Sequence, residues 1–385
     1  MPLVAAHLPL SLYIHLPWCV KKCPYCDFNS HAVRDSLPEE AYLNALLEEL
    51  EQVAPRLEGR APHSIFFGGG TPSLFSPAAI GRLLHAVERR LGLANGAEIT
   101  LEANPGTVDM ARFQGFRAAG VNRLSIGIQS LQDDKLKRLG RIHGRADALA
   151  AIAAAKQAGF DNFNLDLMHG LPDQTASDAL ADLKDALATH PTHLSWYQLT
   201  LEPNTPFHHA PPALPNEDTL QAIQTEGHAF LSAAGFHAYE VSAWSQQPRH
   251  ACQHNLNYWT FGDYLGIGAG AHSKLTVTGT PSILRRAQCR HPADYLIRHK
   301  REATPWQAVP ENELAFEFML NALRLREGVA ASLFEERTGQ PLETIATPLH
   351  TARERGLLIS ETDRLTATSL GRQFLNDLTI LFLNC

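Results

Sequence analysis

Six short apolar runs in the first two-thirds of the chain, most of them followed by a stretch with helical spacing, constrain the fold more than any other sequence feature. The runs are "SLYIHL", "SIFF", "EITLEAN", "RLSIGIQ", "FNLDLMHG" and "HLSWYQLT", and helical patterns fall near 39–53, 77–91, 108–118, 145–158 and 176–188. Repeated β-then-α order implies parallel strands, because each crossover helix carries the chain back to the start of the next strand with a fixed hand. The pattern predicts an α/β fold built as a partial (βα)6 barrel, with its active site at the C-terminal ends of the strands. The Pro- and His-rich "LEPNTPFHHAPPALPNED" reads as a long loop crossing the barrel mouth before a helix near 217–234. After about residue 305 the pattern becomes "ENELAFEFMLNALRLREGV", "ASLFEERTG" and "LETIATPLHTARERGLL", then a strand-turn-strand through "LISETDRLTAT". That order predicts a C-terminal, mostly helical, winged-helix-like appendage. Acidic residues outnumber basic ones from 326 onward, which favours a packing or lid role over DNA binding.

A chain of 385 residues with 44% hydrophobic and 19% charged residues has ample material for a core without disulfides. It holds no apolar run of membrane-spanning length. The leading "MPLVAAHLPLSLYIHL" lacks a basic n-region and runs directly into a cysteine cluster, so the expectation is a cytoplasmic protein rather than a secreted one. In that compartment clustered thiols serve metals more often than disulfides. A net charge of −7 argues against general nucleic-acid binding. The 19 histidines suit metal or haem ligation, or local hydrogen bonding on surfaces.

Three of the six cysteines, Cys19, Cys23 and Cys26, lie within "CVKKCPYC", and Pro24 stiffens the turn between the last two. Structural zinc closes with four ligands, whereas a 4Fe-4S cluster on three thiolates leaves one iron open to an exogenous ligand. The strand ends then offer polar or glycine positions in succession. Gly68, Gly69 and Gly70 in "FFGGGTPS" allow close backbone approach. Glu102, Gln129 and Asp166 stand at the ends of the third and fourth strands and on the fifth, and Arg141 follows the fourth. Each alone is also compatible with a buried polar group satisfied by neighbouring backbone.

The cysteine motif resembles that of the radical S-adenosylmethionine (SAM) superfamily, and the motif order along nearly the whole chain is similar to its coproporphyrinogen-oxidase-like group. The resemblance implies a radical-SAM barrel. It also implies a cluster whose open iron chelates SAM and whose electron cleaves the sulfonium. Carried over position by position, it implies SAM contacts at Tyr13, Tyr25, Gly69, Gly70, Thr71, Glu102, Gln129, Arg141 and Asp166. The oxygen-independent coproporphyrinogen III oxidases carry a fourth cysteine where this sequence has Phe28, and a longer N-terminal arm before the residue matching Tyr13. Both departures match the sister group of radical SAM haem chaperones. "CQHNLNYW" is similar to that group's HNxxYW haem motif, which implies His254 as an axial haem ligand and Tyr258 and Trp259 against the porphyrin. Cys252 reads as a second ligand or, more simply, as a buried structural thiol. "FGDYLGIGAGAHS" reads as glycine-rich backbone against a flat ligand, or as an ordinary turn. Lys21 and Lys22 make the cysteine loop positive, suited to an acidic donor such as flavodoxin or to plain solvation.

The resemblance therefore implies a haem chaperone that passes haem to acceptors such as respiratory cytochromes, with oxidative decarboxylation of coproporphyrinogen III as the alternative. It divides the chain into a barrel core at 1–210, a barrel-closing and haem-motif region at 211–305, and the appendage at 306–385.

Overall fold

The structure is a computed structural model that describes residues 8–279, 282–298 and 304–383. The N-terminal stretch read above for a signal peptide therefore lies partly outside the described residues. Strands β1 (Leu10–Leu16), β2 (Ser64–Gly69), β3 (Glu98–Ala103), β4 (Arg123–Gln129), β5 (Phe163–His169) and β6 (His193–Gln198) run parallel and lie side by side in chain order. Helices α1 (Glu39–Val53), α2 (Pro77–Leu91), α3 (Met110–Ala119), α4 (Arg145–Gln157) and α5 (Ala176–Leu187) connect them, and α6 (Glu217–Ala233) follows β6. Every residue of β4 is buried, as expected where helices cover one sheet face and a packed interior fills the other. Helix starts are set by side-chain caps. Ser76 Oγ accepts from Ala79 N at 3.1 Å, Asp109 from Arg112 N at 2.8 Å, and Thr175 forms a capping box with Asp178.

The sheet is wider than six strands, and it is open. Strand β7 (Ala243–Ser245) pairs antiparallel with β6; on the other side β8 (Asp263–Ile267) pairs parallel with β1 and continues into β9 (His272–Thr276) and β10 (Ile283–Ala287). "FGDYLGIGAGAHS" thus covers β8, the four-residue turn after it and the start of β9. A Cβ on Gly266 would stand 2.1 Å from the His272 carbonyl oxygen, and Gly268 and Gly270 hold φ of +104° and +77°. Gly266 permits the close approach of β9, and Gly268 and Gly270 serve the chain reversal.

One core fills the barrel and its helices. A second gathers Phe318, Phe334 and Phe382 of the C-terminal region with Phe261 and Ile283 from the sheet. The helices there are α8 (Glu311–Ala322), α9 (Ser332–Thr338) and α10 (Ala346–Glu354), after α7 (Gln253–Trp259). Val329–Ala330 pairs with Arg364–Leu365, and Leu358 bridges Ala367, giving the small hairpin expected of a winged-helix-like unit.

Where β8 begins, the buried Asp263 accepts from Arg60 Nη1 at 2.7 Å, Lys274 Nζ at 3.4 Å, and both Thr276 N and Thr276 Oγ1 at 2.9 Å. This cluster ties the loop before β2 to β8 and β9. Replacing Asp263 with Ala strands two buried cations, so urea unfolding should show a loss of about 3–5 kcal/mol. A loss below ~1 kcal/mol would mean that water reaches the site.

Candidate functional site

Three free thiols open onto one cavity. The cysteine loop leaves β1 and is closed at its base by parallel pairing of Trp18–Cys19 with His31–Ala32 and by Val33 N donating to Cys19 O at 2.9 Å. Inside it, Cys26 N donates to Cys23 O at 3.1 Å, making the turn that Pro24 stiffens. Cys19, Cys23 and Cys26 are half-buried and line a cavity of about 450 Å³ with Tyr25, Gly69, Gly70, Thr71 and Glu102. Burial pushes the Cys19 and Cys26 thiols up, so loading a metal must displace their protons. Among the described residues no three His, Cys, Asp or Glu side chains close on a single ion. Three soft donors spread around a cavity wall, with no fourth beside them, fit a polynuclear cluster better than zinc.

The glycine strap fixes this loop to the barrel. Gly70 N donates to Leu16 O at 2.9 Å and Thr71 N to Trp18 O at 2.7 Å. A Cβ on Gly70 would lie 2.5 Å from Trp18 O; one on Gly69, at φ +118°, would lie 2.5 Å from the His15 ring. Close approach is therefore between two stretches of this chain, and Gly69 and Gly70 line the cavity as a consequence.

The strand ends supply the far wall. Glu102 accepts from Gly69 N at 3.1 Å. Burial and the neighbouring Asp166 push its carboxyl up to about 8, against the pull of that N–H. Asp166 is also raised, chiefly by burial, despite bonds from Asn164 Nδ2 at 2.8 Å and Ser125 Oγ at 3.1 Å. Gln129 ends β4 with φ +65°, just past an irregularity in its pairing with β5, and its Oε1 accepts from Tyr197 O–H at 2.8 Å. Arg141 spans the wall, donating to Cys23 Sγ at 3.5 Å and to Asn104 Oδ1 and Gly127 O at 2.8 Å. This guanidinium thus ties the cysteine loop to the third and fourth strand ends.

The loop after β6 comes over this mouth. Thr200 and Glu202 line the cavity, Phe207 N donates to Pro24 O at 3.0 Å, and the Phe207 ring lies 6.3 Å from that of Tyr25.

Tyr13 and the HNxxYW residues lie elsewhere. A second cavity of about 290 Å³ sits deeper in the barrel, lined by Tyr13, Phe66, Arg123, His193, Cys252, His254 and Tyr258 among others. Glu102, Ser125, Asp166 and Ser195 line both spaces. Arg123 and His193 begin their strands, so this is the N-terminal end of the barrel, opposite the cysteines. Tyr13 O–H meets His15 Nδ1 at 3.0 Å, and Tyr13 lines the second cavity. His254 is 2% exposed, with its ring 5.1 Å from Phe66 and 4.9 Å from Tyr258. Burial, with His63 and Arg123 nearby, pushes it down to about 3, so it is neutral at pH 7. Its Nδ1 is 3.3 Å from Ser64 Oγ, which also lies 2.7 Å from Ser11 Oγ. Its Nε2 is buried and has no protein partner. Trp259 is not with His254's cavity: its ring packs under the Arg324 guanidinium at 4.3 Å, against the second core. The Cys252 thiol donates to Glu98 Oε1 at 3.5 Å, and burial pushes it up to about 12, the behaviour of a structural thiol.

Asn104, Ser125, Ser195, Tyr197 and Arg123 are cavity residues that the sequence reading passed over. A signal for them exists. Arg123, Ser125, Gly127 and Gln129 alternate along β4, as do Asn164, Asp166 and Met168 along β5, and period two places each set on the barrel's inner face.

Residues 13–186 match the model of the radical SAM superfamily, and residues 309–374 match that of the HemN C-terminal domain. A protein named heme chaperone HemW from Haemophilus influenzae is 48% identical over 384 residues, covering 97% of this chain and 98% of its own. One of the same name from Escherichia coli is 50% identical over 375 residues, with 97% and 98% covered. Among solved structures, coproporphyrinogen III oxidase (HemN) of Escherichia coli superposes with a TM-score of 0.81 at 23% identity over 97% of this chain and 90% of that one, a likeness of fold.

The Glu102 carboxyl gives a pH signature. A raised folded-state pKa favours the protonated form, so the stability it contributes is full below the ordinary 4.5 and is lost as pH rises toward about 8. Glu102→Gln removes that loss. In urea unfolding of the cluster-free protein, the variant should gain on wild type by up to ~1.4 kcal/mol per pH unit across that window. A difference independent of pH would show that Glu102 titrates as an ordinary carboxylate.

Proposed function

We propose a function from one premise: the chain belongs to the radical SAM superfamily, in the group named HemW. On that premise it is a cytoplasmic haem chaperone, carrying a 4Fe-4S cluster and SAM, that passes haem to acceptor proteins such as respiratory cytochromes. Likeness along nearly the full chain to relatives so named carries the reading. Phe28 supports it. That side chain stands 61% exposed at the position of the oxidases' fourth cysteine, and nothing in the loop replaces the missing thiol.

Cys19, Cys23 and Cys26 hold the cluster, and the iron they leave open takes SAM. When bound, this pair supplies reductive cleavage of the sulfonium. The chain's own residues bind and orient. Gly69, Gly70 and Thr71 present a close backbone edge, Glu102 and Asp166 receive ammonium or hydroxyl groups, and Gln129 and Arg141 close the wall with Tyr25. Tyr13 acts from beneath, through Glu102. His254 offers Nε2 to haem iron, with Tyr258 beside it and Trp259 on the outer side of α7. The exposed Lys21 and Lys22 flank the thiols and suit docking of an acidic flavodoxin-like donor. No described helix is long and apolar enough to cross a membrane, so delivery to a membrane acceptor proceeds by peripheral contact.

Three outcomes test this reading. Titrating haem into anaerobically reconstituted protein should give a saturable Soret band at about one haem per chain, without decarboxylation of coproporphyrinogen III; turnover without saturable haem binding would make it an oxidase. Cys23→Ala should abolish the cluster's visible absorption, since two thiolates do not retain a cubane. His254→Ala should weaken haem binding at least tenfold and leave the cluster spectrum intact, and equal affinity would move the haem site elsewhere.

A further inference from the structure

His254 is turned inward, and its Nε2 is closed to haem. That atom is fully buried and has no protein partner, beside a cavity of about 290 Å³ that His254 lines with Tyr13, Phe66 and Tyr258. The ring's other sides are covered by Phe66, Tyr258 and, at 6.2 Å, Tyr13. Ligation through Nε2 therefore requires α7 to move.

Two sets of contacts hold α7. At its start, Glu98 Oε1 accepts from Gln253 N at 2.9 Å and His254 N at 3.4 Å, and Tyr239 O–H accepts from Cys252 N at 3.2 Å. Tyr239 O–H also meets His193 Nε2 at 2.9 Å, so one phenol joins the barrel to the helix start. At its end, Trp259 lies under Arg324 at 4.3 Å. Arg324 also pairs with Glu240 at 3.4 Å, and Arg326 N donates to Tyr239 O at 2.9 Å. A single turn after α8, residues 324–326, thus grips both α7 and the Tyr239–Glu240 segment that bonds to the start of α7. The grip is incomplete, because Trp259 Nε1 is buried with no protein partner. An unsatisfied buried donor disfavours the closed state and lowers the cost of leaving it.

We infer that Arg324 and Tyr239 are positioning residues: they hold α7 so that His254 Nε2 stays buried, and haem reaches Nε2 when the 324–326 turn releases Trp259 and the Tyr239 backbone. This rests on the haem reading of His254. Apparent affinity scales with the fraction of molecules in the competent state, so weakening the grip should increase both binding rate and affinity.

The test is stopped-flow haem binding at the Soret band on the full, reconstituted chain. Arg324→Ala should bind roughly five- to tenfold faster and tighter, with the Soret position of wild type. Arg324→Lys, which keeps a cation over the indole, should return most of the way to wild type. If Arg324→Ala binds at the wild-type rate or more slowly while His254→Ala still loses haem, the grip is refuted and the haem site stands. If His254→Ala binds as wild type does, the haem reading itself fails and this inference with it. Hydrogen exchange on the unmutated protein decides the matter even if Arg324→Ala folds poorly. The Arg326 amide should lose protection once haem is bound, and unchanged protection would overturn the inference.

Discussion

A backbone crossing at Gly70 holds the arrangement of the cysteine loop. The loop has only a two-residue pairing at its base, and three thiols can bind one cluster only if their positions are fixed by something outside it. That support is the end of β2, which runs beneath Trp18 so closely that a single Cβ would strike its carbonyl oxygen. The same crossing delivers the Gly69 N–H to Glu102 and the Thr71 hydroxyl to Asn104, so the loop, the glycine strap and the third strand form one rigid rim. Arg141 closes that rim by reaching Cys23 and Asn104 together.

Charge is distributed along the barrel axis in a way that separates two kinds of chemistry. The cysteine end combines a guanidinium, Arg141, with two carboxyls whose ionisation is opposed by burial. Such carboxyls welcome a cationic or hydroxyl-bearing ligand, because binding replaces hydration they do not have. The opposite end buries Arg123 near Glu98, at 3.8 Å, and keeps His193 and His254 neutral. Burial there thus opposes protonation of both imidazoles.

The six parallel strands, the covering helices and the appendage were legible because each rests on a local period or a cap that the chain states directly. Glu102, Gln129 and Asp166 were legible for the same reason, since they end or occupy strands whose direction the βα order fixes. What the sequence concealed is long-range pairing. Nothing near Asp263 announces that it joins Arg60, some two hundred residues earlier, and without that pairing the run "DYLGI" reads as a turn. The HNxxYW segment shows the same limit from another side. Its residue types indicate a ligand, but only the placement of α7 beneath β1 and β2 shows that His254 and Trp259 point to different bodies, the barrel interior and the C-terminal core.

That divergence gives the C-terminal region a physical role. An α7 anchored only to the barrel would report on the barrel alone. Because Leu256 and Trp259 belong to the second core while His254 belongs to the first, α7 is shared between two packed units. Packed units shift as bodies rather than deform continuously. The inner cavity in turn meets the cysteine cavity at Glu102, Ser125, Asp166 and Ser195, and Asp166 stands within the field of Arg123. The two ends of the barrel therefore share polar walls, and the C-terminal unit is attached at the inner end.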